Sequence, residues 1–375
     1  MTKTRWQWRA SVALLGVSLG LVVYPIIEGS NDVINSDWPA FATGARLIVS
    51  DPGHLYDLDA QKRVELEVTG GRVLVTLGIE GILPFLAPAW VALLAVPFDA
   101  FGTEIGGRLW ILFGLLCLTG GLYFATRPRP PTAILPAFAA VPTALLLLNA
   151  QLDGIVALGL GAAFALWSRP YMAGLALGLT LVKPQLVLPL GVALLVARKW
   201  KVLATWVASG LALVGVTLVL DPRWIFDWLG QTRTTVQPGS REVDLPHLGI
   251  LLPSGMQTVA VVALAVIASA LVLLLARRRR DDLSAAAAVV IAGGVLASPH
   301  ALPADLVLVA LALAMWGQAR WFDWLALSMG AIICALTPAP VPALVGVVVI
   351  GWVCLRVAGL LVTWLPREPA PASAR

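Results

Sequence analysis

The chain reads as an all-α polytopic membrane protein, a bundle of about 12 transmembrane helices with short interfacial helices in its first outer loop. Three observations predict this. Hydrophobic residues make up 59% of the chain and charged ones 13%, about half the charge of an ordinary soluble domain. Mean hydropathy is +0.87. Apolar runs recur along nearly the whole sequence without period-2 alternation, which argues against a membrane β-barrel.

The spans are placed at roughly 10–27, 84–98, 108–125, 133–148, 152–168, 171–197, 202–220, 257–276, 284–297, 302–316, 322–336 and 340–363. The first follows Lys3, Arg5 and Arg9 and reads as an uncleaved span, since no small-residue cleavage site follows it cleanly. The sixth is long and broken by Lys183-Pro184, and such breaks are tolerated where they line a polar cavity. Residues 1–365 are expected to form a single transmembrane domain, with a Pro/Ala-rich disordered tail over 366–375.

Basic residues cluster at the amino terminus, at Arg198-Lys199-Trp200-Lys201 and at Arg277 through Arg280. Twelve spans with both termini inside put all three clusters on the cytoplasmic side. The net charge of +5 is therefore a topology signal and does not point to nucleic acid. The long loops at 28–83 and 221–256 then face out. The first carries nine acidic residues against four basic ones, which supports that placement. Cys117, Cys334 and Cys354 all lie in apolar segments, so no disulfide or metal framework is implied.

Within the first loop, Trp38, Phe41, Ala45 and Ile48 recur at helical spacing, and Thr43 and Arg46 are interspersed. This predicts an interfacial helix with Ser36 as N-cap, ended by Pro52-Gly53. Asp37 stands at its start. The bland account is an acid suited to the positive end of a helix dipole. The functional one is a base that is ionised, close to a hydroxyl and poorly hydrated. Tyr56-Asp57 opens a second short helix.

Four more places carry chemistry. His300 lies in Ser298-Pro299-His300-Ala301-Leu302-Pro303, a break between two spans. It is either an interfacial histidine at a helix end or a donor facing the outer cavity. Asp305, just inside the next span, is a functional candidate because a carboxylate at that depth is costly. Its alternative is a structural partner that orients a neighbour. Lys183 needs a water-filled cavity, an anion or a carboxylate, and a phosphate is one natural anion. Gln151 and Asp153 sit in the polar hinge Asn149-Ala150-Gln151-Leu152-Asp153-Gly154, which also reads as a structural turn. Arg233, Arg241 and His247 belong to the second long loop, where arginine either grips a phosphate or solvates the surface.

Taken together, several of these stretches resemble the polyprenol-phosphate-mannose-dependent mannosyltransferases of glycosyltransferase family 87, which have the GT-C membrane fold. The likeness runs over roughly residues 20–320. It is carried by Ser36-Asp37-Trp38, Ala42 to Arg46, Gly53-His54-Leu55-Tyr56-Asp57, the proline-rich Leu83 to Pro88, Ala150-Gln151-Leu152-Asp153, Gly174 to Pro184, and Ser298-Pro299-His300 with Asp305 downstream. Ala150 stands where the family has Gly, and Asp153 where it has Asn.

The resemblance implies an inverting hexosyltransferase on the outer face of the cell membrane. It would move a sugar, mannose in the first instance, from a polyprenyl-phosphate donor to a lipid or glycan acceptor. Asp37 and His300 would be catalytic. Lys183, Arg233, Arg241, His247, Gln151, Asp305 and Tyr56 would bind donor phosphate or substrate. No strand–Gly-rich–helix nucleotide unit is present in the sequence, and no metal or cofactor is expected. The alternatives are a lipid-linked-glycan flippase or other transporter, which would show internal repeats that are not seen here, and a non-catalytic GT-C relative.

Overall fold

The computed structural model describes residues 33–72, 74–76, 79–81, 83–235 and 248–361. The expected first span and the Pro/Ala-rich tail lie outside the described residues. Apart from one short hairpin, the described chain is helical. The hairpin pairs β1 (Leu74–Thr76) with β2 (Ile79–Gly81), antiparallel, within the first long loop.

The helices in chain order are α1 (Trp38–Ser50), α2 (Leu58–Val68), α3 (Ala89–Asp99), α4 (Thr103–Thr126), α5 (Leu135–Ala139), α6 (Val141–Leu148), α7 (Asp153–Ala165) and α8 (Pro170–Leu177). There follow α9 (Leu188–Val196), α10 (Trp200–Leu220), α11 (Trp224–Thr235), α12 (Ser254–Arg278), α13 (Leu283–Ala297), α14 (Leu306–Trp316), α15 (Trp321–Leu336) and α16 (Val341–Val357). Three described stretches are long and apolar enough to cross a membrane: α4, α10 and the Val259–Arg277 part of α12. The pair Pro131–Ala139 and Val141–Leu148, bent by 71°, makes a fourth if it is one span. The remaining apolar helices are shorter than a straight crossing requires. The chain is thus a helical membrane protein.

The elements follow from local chemistry. Asp57 caps α2 by accepting from Ala60 N–H at 2.7 Å, and Asp282 caps α13 by accepting from Ala285 N–H at 3.0 Å. Prolines mark the breaks: Pro142 follows the bend between α5 and α6, and Pro184 follows Lys183. The centre of the bundle is α14, all eleven of whose residues are buried. A helix apolar on every side must be enclosed by protein or lipid, and here α13, α15 and α16 pack around it. By contrast α10 and α12 leave most of their apolar side chains exposed, as lipid-facing helices do.

The packing of α4 on α7 matters most for the site. A Cβ at Gly154 would run into the Gly114 carbonyl, and one at Gly161 into that of Gly121. These small residues let the two backbones touch, which fixes the hinge before α7 against the middle of α4.

The first long loop differs from expectation in one respect. α1 was expected to lie along the membrane surface with one apolar face. Instead Trp38 through Ala45 are all buried, together with Leu47 and Ile48. Its small residues, Ala42, Gly44 and Ala45, let α3 and α4 cover it on more than one side. Arg46, on its more open side, pairs with Asp99 at the end of α3 at 3.1 Å. Within the second long loop, α11 covers 224–235.

Candidate active site

Asp37 directly precedes α1. Its backbone is helical (φ −77°, ψ −3°) and its side chain makes no capping bond to its own helix. The Ser36 hydroxyl takes that place: it accepts from Trp38 N–H at 3.2 Å and donates to Val33 O at 2.7 Å. The helix therefore starts one residue later than a Ser36 N-cap implies, and the Asp37 carboxylate is available for other work.

Two contacts bring that carboxylate to the hinge before α7. The Asp37 N–H donates to Asn149 O at 3.2 Å. Trp110, buried on α4 against Trp38 and Phe41, donates its indole N–H to Ala150 O at 2.9 Å. The Gln151 amide nitrogen then donates to Asp37 Oδ2.

Ala150 holds the hinge with φ of +49°, a left-handed conformation in which glycine is favoured. Ala150→Gly is accordingly expected to stabilise the fold by about 0.5–1 kcal/mol and to leave activity intact. Thermal melts of both proteins in the same lipid check this. A clear drop in melting temperature would mean that the Ala150 methyl group packs more tightly than the backbone is strained.

Behind Gln151 lies a buried ionic cluster. Lys183 is 11% exposed at its side chain, Asp153 0% and Asp305 2%. The Lys183 ammonium donates to Gln151 Oε1 at 2.6 Å, to Asp153 Oδ2 at 2.9 Å and to Asp305 Oδ1 at 2.6 Å. An ammonium group has three N–H bonds, and all three are taken. Two aspartates and an amide thus occupy the ammonium that was expected at a donor phosphate.

The cluster also fixes the direction of the Gln151 amide. A lysine donates only, so Oε1 must face Lys183 and the NH2 group must face Asp37. Asp37 is consequently held as an acceptor of the Gln151 amide.

Each member is delivered by an interruption in a helix. Lys183 sits between the 3-10 turns Gly178–Val182 and Pro184–Val187. Trp90 of α3 steadies this break by donating its indole N–H to Leu181 O at 3.2 Å. Asp153 opens α7. Asp305 precedes α14, and its other oxygen accepts from Leu302 N–H at 2.7 Å. Both aspartates thus sit at the positive ends of helices, which offsets part of the cost of burying them.

His300 lies five residues before Asp305, in the turn between α13 and α14. Its backbone is closed by Ser298, whose hydroxyl donates to His300 O at 2.5 Å and accepts from His300 N–H at 3.3 Å. Tyr56, expected at the substrate, is buried; its hydroxyl donates to Ala87 O at 2.9 Å and its ring lies beside Phe85 and Trp224. It joins the first loop to the proline-rich segment before α3. Arg233 is on α11, while Arg241 and His247 lie outside the described residues. Among the described residues no group of three or more His, Cys, Asp or Glu side chains is placed to hold a metal ion.

The loop that carries Tyr56 is clasped by two buried side chains of α2. Gln61 donates to Leu55 O at 2.7 Å and accepts from Phe85 N–H at 2.9 Å. Glu65 accepts from Leu83 N–H at 2.8 Å. Burial pushes the Glu65 carboxyl up to about 7, although the Leu83 N–H pulls the other way. An acid whose folded pKa lies above its unfolded value binds its proton more tightly when folded. Its stabilising contribution is full below the ordinary glutamate pKa and is lost as pH rises through about 7. Glu65→Gln keeps the acceptor for Leu83 and removes the ionisation. The variant should lose a fall in stability across that window that the parent shows, measured as melting temperature against pH. Identical pH profiles would remove Glu65 from this account.

One residue was missed as a partner. Asp153 was read only as part of a hinge, yet it holds Lys183. The signal was charge balance: between Asp153 and Asp221 the sequence has no acidic residue, so the one deep lysine had to pair with whatever carboxylate the fold returned to it.

No curated protein and no solved structure matches the chain. A family model described as glycosyltransferase family 87 matches residues 85–299. That stretch contains Gln151, Asp153 and Lys183 and ends one residue before His300. The match covers more than half of the sequence, and the chain belongs to glycosyltransferase family 87.

Proposed function

We propose that this glycosyltransferase moves a hexose, mannose in the first instance, from a polyprenyl phosphate to a hydroxyl of a lipid or glycan acceptor on the extracytoplasmic face of the cell membrane. The observation that carries the reading is the Asp37 carboxylate. It declines to cap its own helix and is held instead by an amide whose orientation is set by a buried lysine. Asp37 takes the acceptor's proton as that oxygen attacks the anomeric carbon. The bond from that carbon to the phosphate oxygen breaks in the same step, and polyprenyl phosphate leaves. His300 and the arginines and histidine of the second outer loop, Arg233, Arg241 and His247, answer the charge on the leaving phosphate. Lys183 acts through Gln151.

The test is transfer from radiolabelled polyprenyl-phosphate mannose in proteoliposomes, with a glucosyl donor in parallel. Mannosyl transfer to an extractable lipid or glycan supports the proposal; transfer from neither donor overturns it.

The sidedness is proposed with twelve spans and both termini inside. Cysteines introduced singly at positions 62 and 240 should react with an impermeant reagent from outside, and those at 199 and 279 should not. The reverse pattern would place the site on the cytoplasmic face.

A further inference from the structure

A second site is built at the start of α10, away from the polar network. Two short turns meet there, one between α7 and α8 and one between α9 and α10. They flank a half-open cavity of about 390 Å³ lined by Trp167, Pro170, Arg198, Lys199, Trp200, Lys201 and Val202. Three of its seven lining residues are cations, and no acidic residue lines it.

None of Arg198, Lys199 and Lys201 forms an ion pair among the described residues. The Lys199 ammonium lies over the Trp167 ring at 5.5 Å and the Lys201 ammonium over Tyr171 at 5.7 Å. Such contacts hold the charges in place without neutralising them.

Arg198 adds a separate observation. Its φ is +54°, and it stands just past the end of α9, where Lys199 N–H returns to Leu194 O at 2.9 Å. Glycine is the favoured residue in that position because any side chain strains the backbone. The chain keeps an arginine there, and that arginine lines the cavity.

Exposed apolar surface adjoins the cavity. α8 packs on α10 through Gly174, which touches Val202 and Thr205. Both helices then present exposed apolar side chains, Met172 and Leu175 on one and Val207 and Leu211 on the other. Along α10 the packing advances from Val202 beside Gly174, through Ser209 beside Gly178, to Gly210 beside Leu181. Lys183 and its network therefore lie further along the span, towards Asp221, and the cavity is at its opposite end.

We infer that this cavity binds the phosphate of an anionic phospholipid headgroup, with the acyl chains lying along the exposed faces of α8 and α10. The charge is a phosphodiester's match, the indoles suit the membrane interface, and the apolar track gives the tails somewhere to lie.

The test uses the full-length protein purified from vesicles of phosphatidylcholine with or without phosphatidylglycerol. Native mass spectrometry counts the phosphatidylglycerol retained. Wild type should retain it. Lys199→Gln with Lys201→Gln should reduce retention by about tenfold, in keeping with the loss of two phosphate contacts.

Arg198→Gly separates binding from folding. It relieves the backbone, so it should melt no lower than wild type in phosphatidylcholine while retaining less phosphatidylglycerol. Equal retention by wild type and all variants would overturn the site. Stabilisation by inorganic phosphate in detergent, with no preference for phosphatidylglycerol, would overturn the lipid assignment.

Discussion

Asp37→Asn is expected to lower turnover by at least about 10²-fold while the protein remains folded, the scale of a lost general base. The substitution is close to isosteric. It leaves the Asp37 N–H bond to Asn149 O and the burial of Trp38 untouched, so α1 should stay seated against α4. What changes is the partner of Gln151. Its NH2 group can still donate to the new amide's oxygen, so the local bond survives in weaker, uncharged form. The acceptor hydroxyl loses the carboxylate that the proposal assigns to take its proton.

The measurement is sugar transfer under saturating donor, with a melting curve on the same preparation. Full activity would show that proton removal is done elsewhere and leave Asp37 a structural acceptor for Gln151. A loss of activity together with a large drop in melting temperature would say the same, because the carboxylate would then be holding the α1–hinge junction.

How much of this was legible in the sequence follows from which forces fix each part. The helices were readable because apolar runs of this length have few other structures open to them, and the breaks because Pro184 and Pro303 restrict the residues before them. Asp37, Gln151, Lys183 and Asp305 could each be picked out as polar groups in apolar surroundings.

Their mutual arrangement could not be read. They lie as far apart as residues 37 and 305 in the chain, and only the close approach of α4 to α7 and the kink at Lys183 bring them together. A single deep lysine reads equally well as a phosphate ligand or as a buried counter-ion. That choice depends on whether its three N–H bonds are already taken, which is a property of the packed bundle. The burial of α1 escaped for a related reason: its apolar stripe predicts one covered face, while Ala42, Gly44 and Ala45 on its other sides are small enough for neighbouring helices to cover those as well.

Lys183→Met should be the most damaging single change in the chain, and the manner of its damage discriminates between two roles. The substitution keeps length and removes the charge. Asp153 and Asp305 would then lie buried close to one another without their cation, and breaking a buried ion pair from one side costs about 3–5 kcal/mol. Part of this is recoverable: one aspartate can take up a proton and donate to the other. Asp305→Asn in the same chain should therefore restore part of the lost melting temperature, because it removes one of the two uncompensated charges.

Activity should not return with it. Without the ammonium, nothing obliges Gln151 to turn its oxygen inward, and its NH2 group is no longer pinned on Asp37. A positioning role predicts that kcat falls, by about tenfold or more, while the donor KM stays within about threefold of the parent in the stability-restored double variant. A phosphate-binding role predicts the opposite split, with KM for the donor rising and kcat largely kept. The second outcome would mean that Lys183 releases one of its aspartates when the donor arrives, and it would return the lysine to the phosphate.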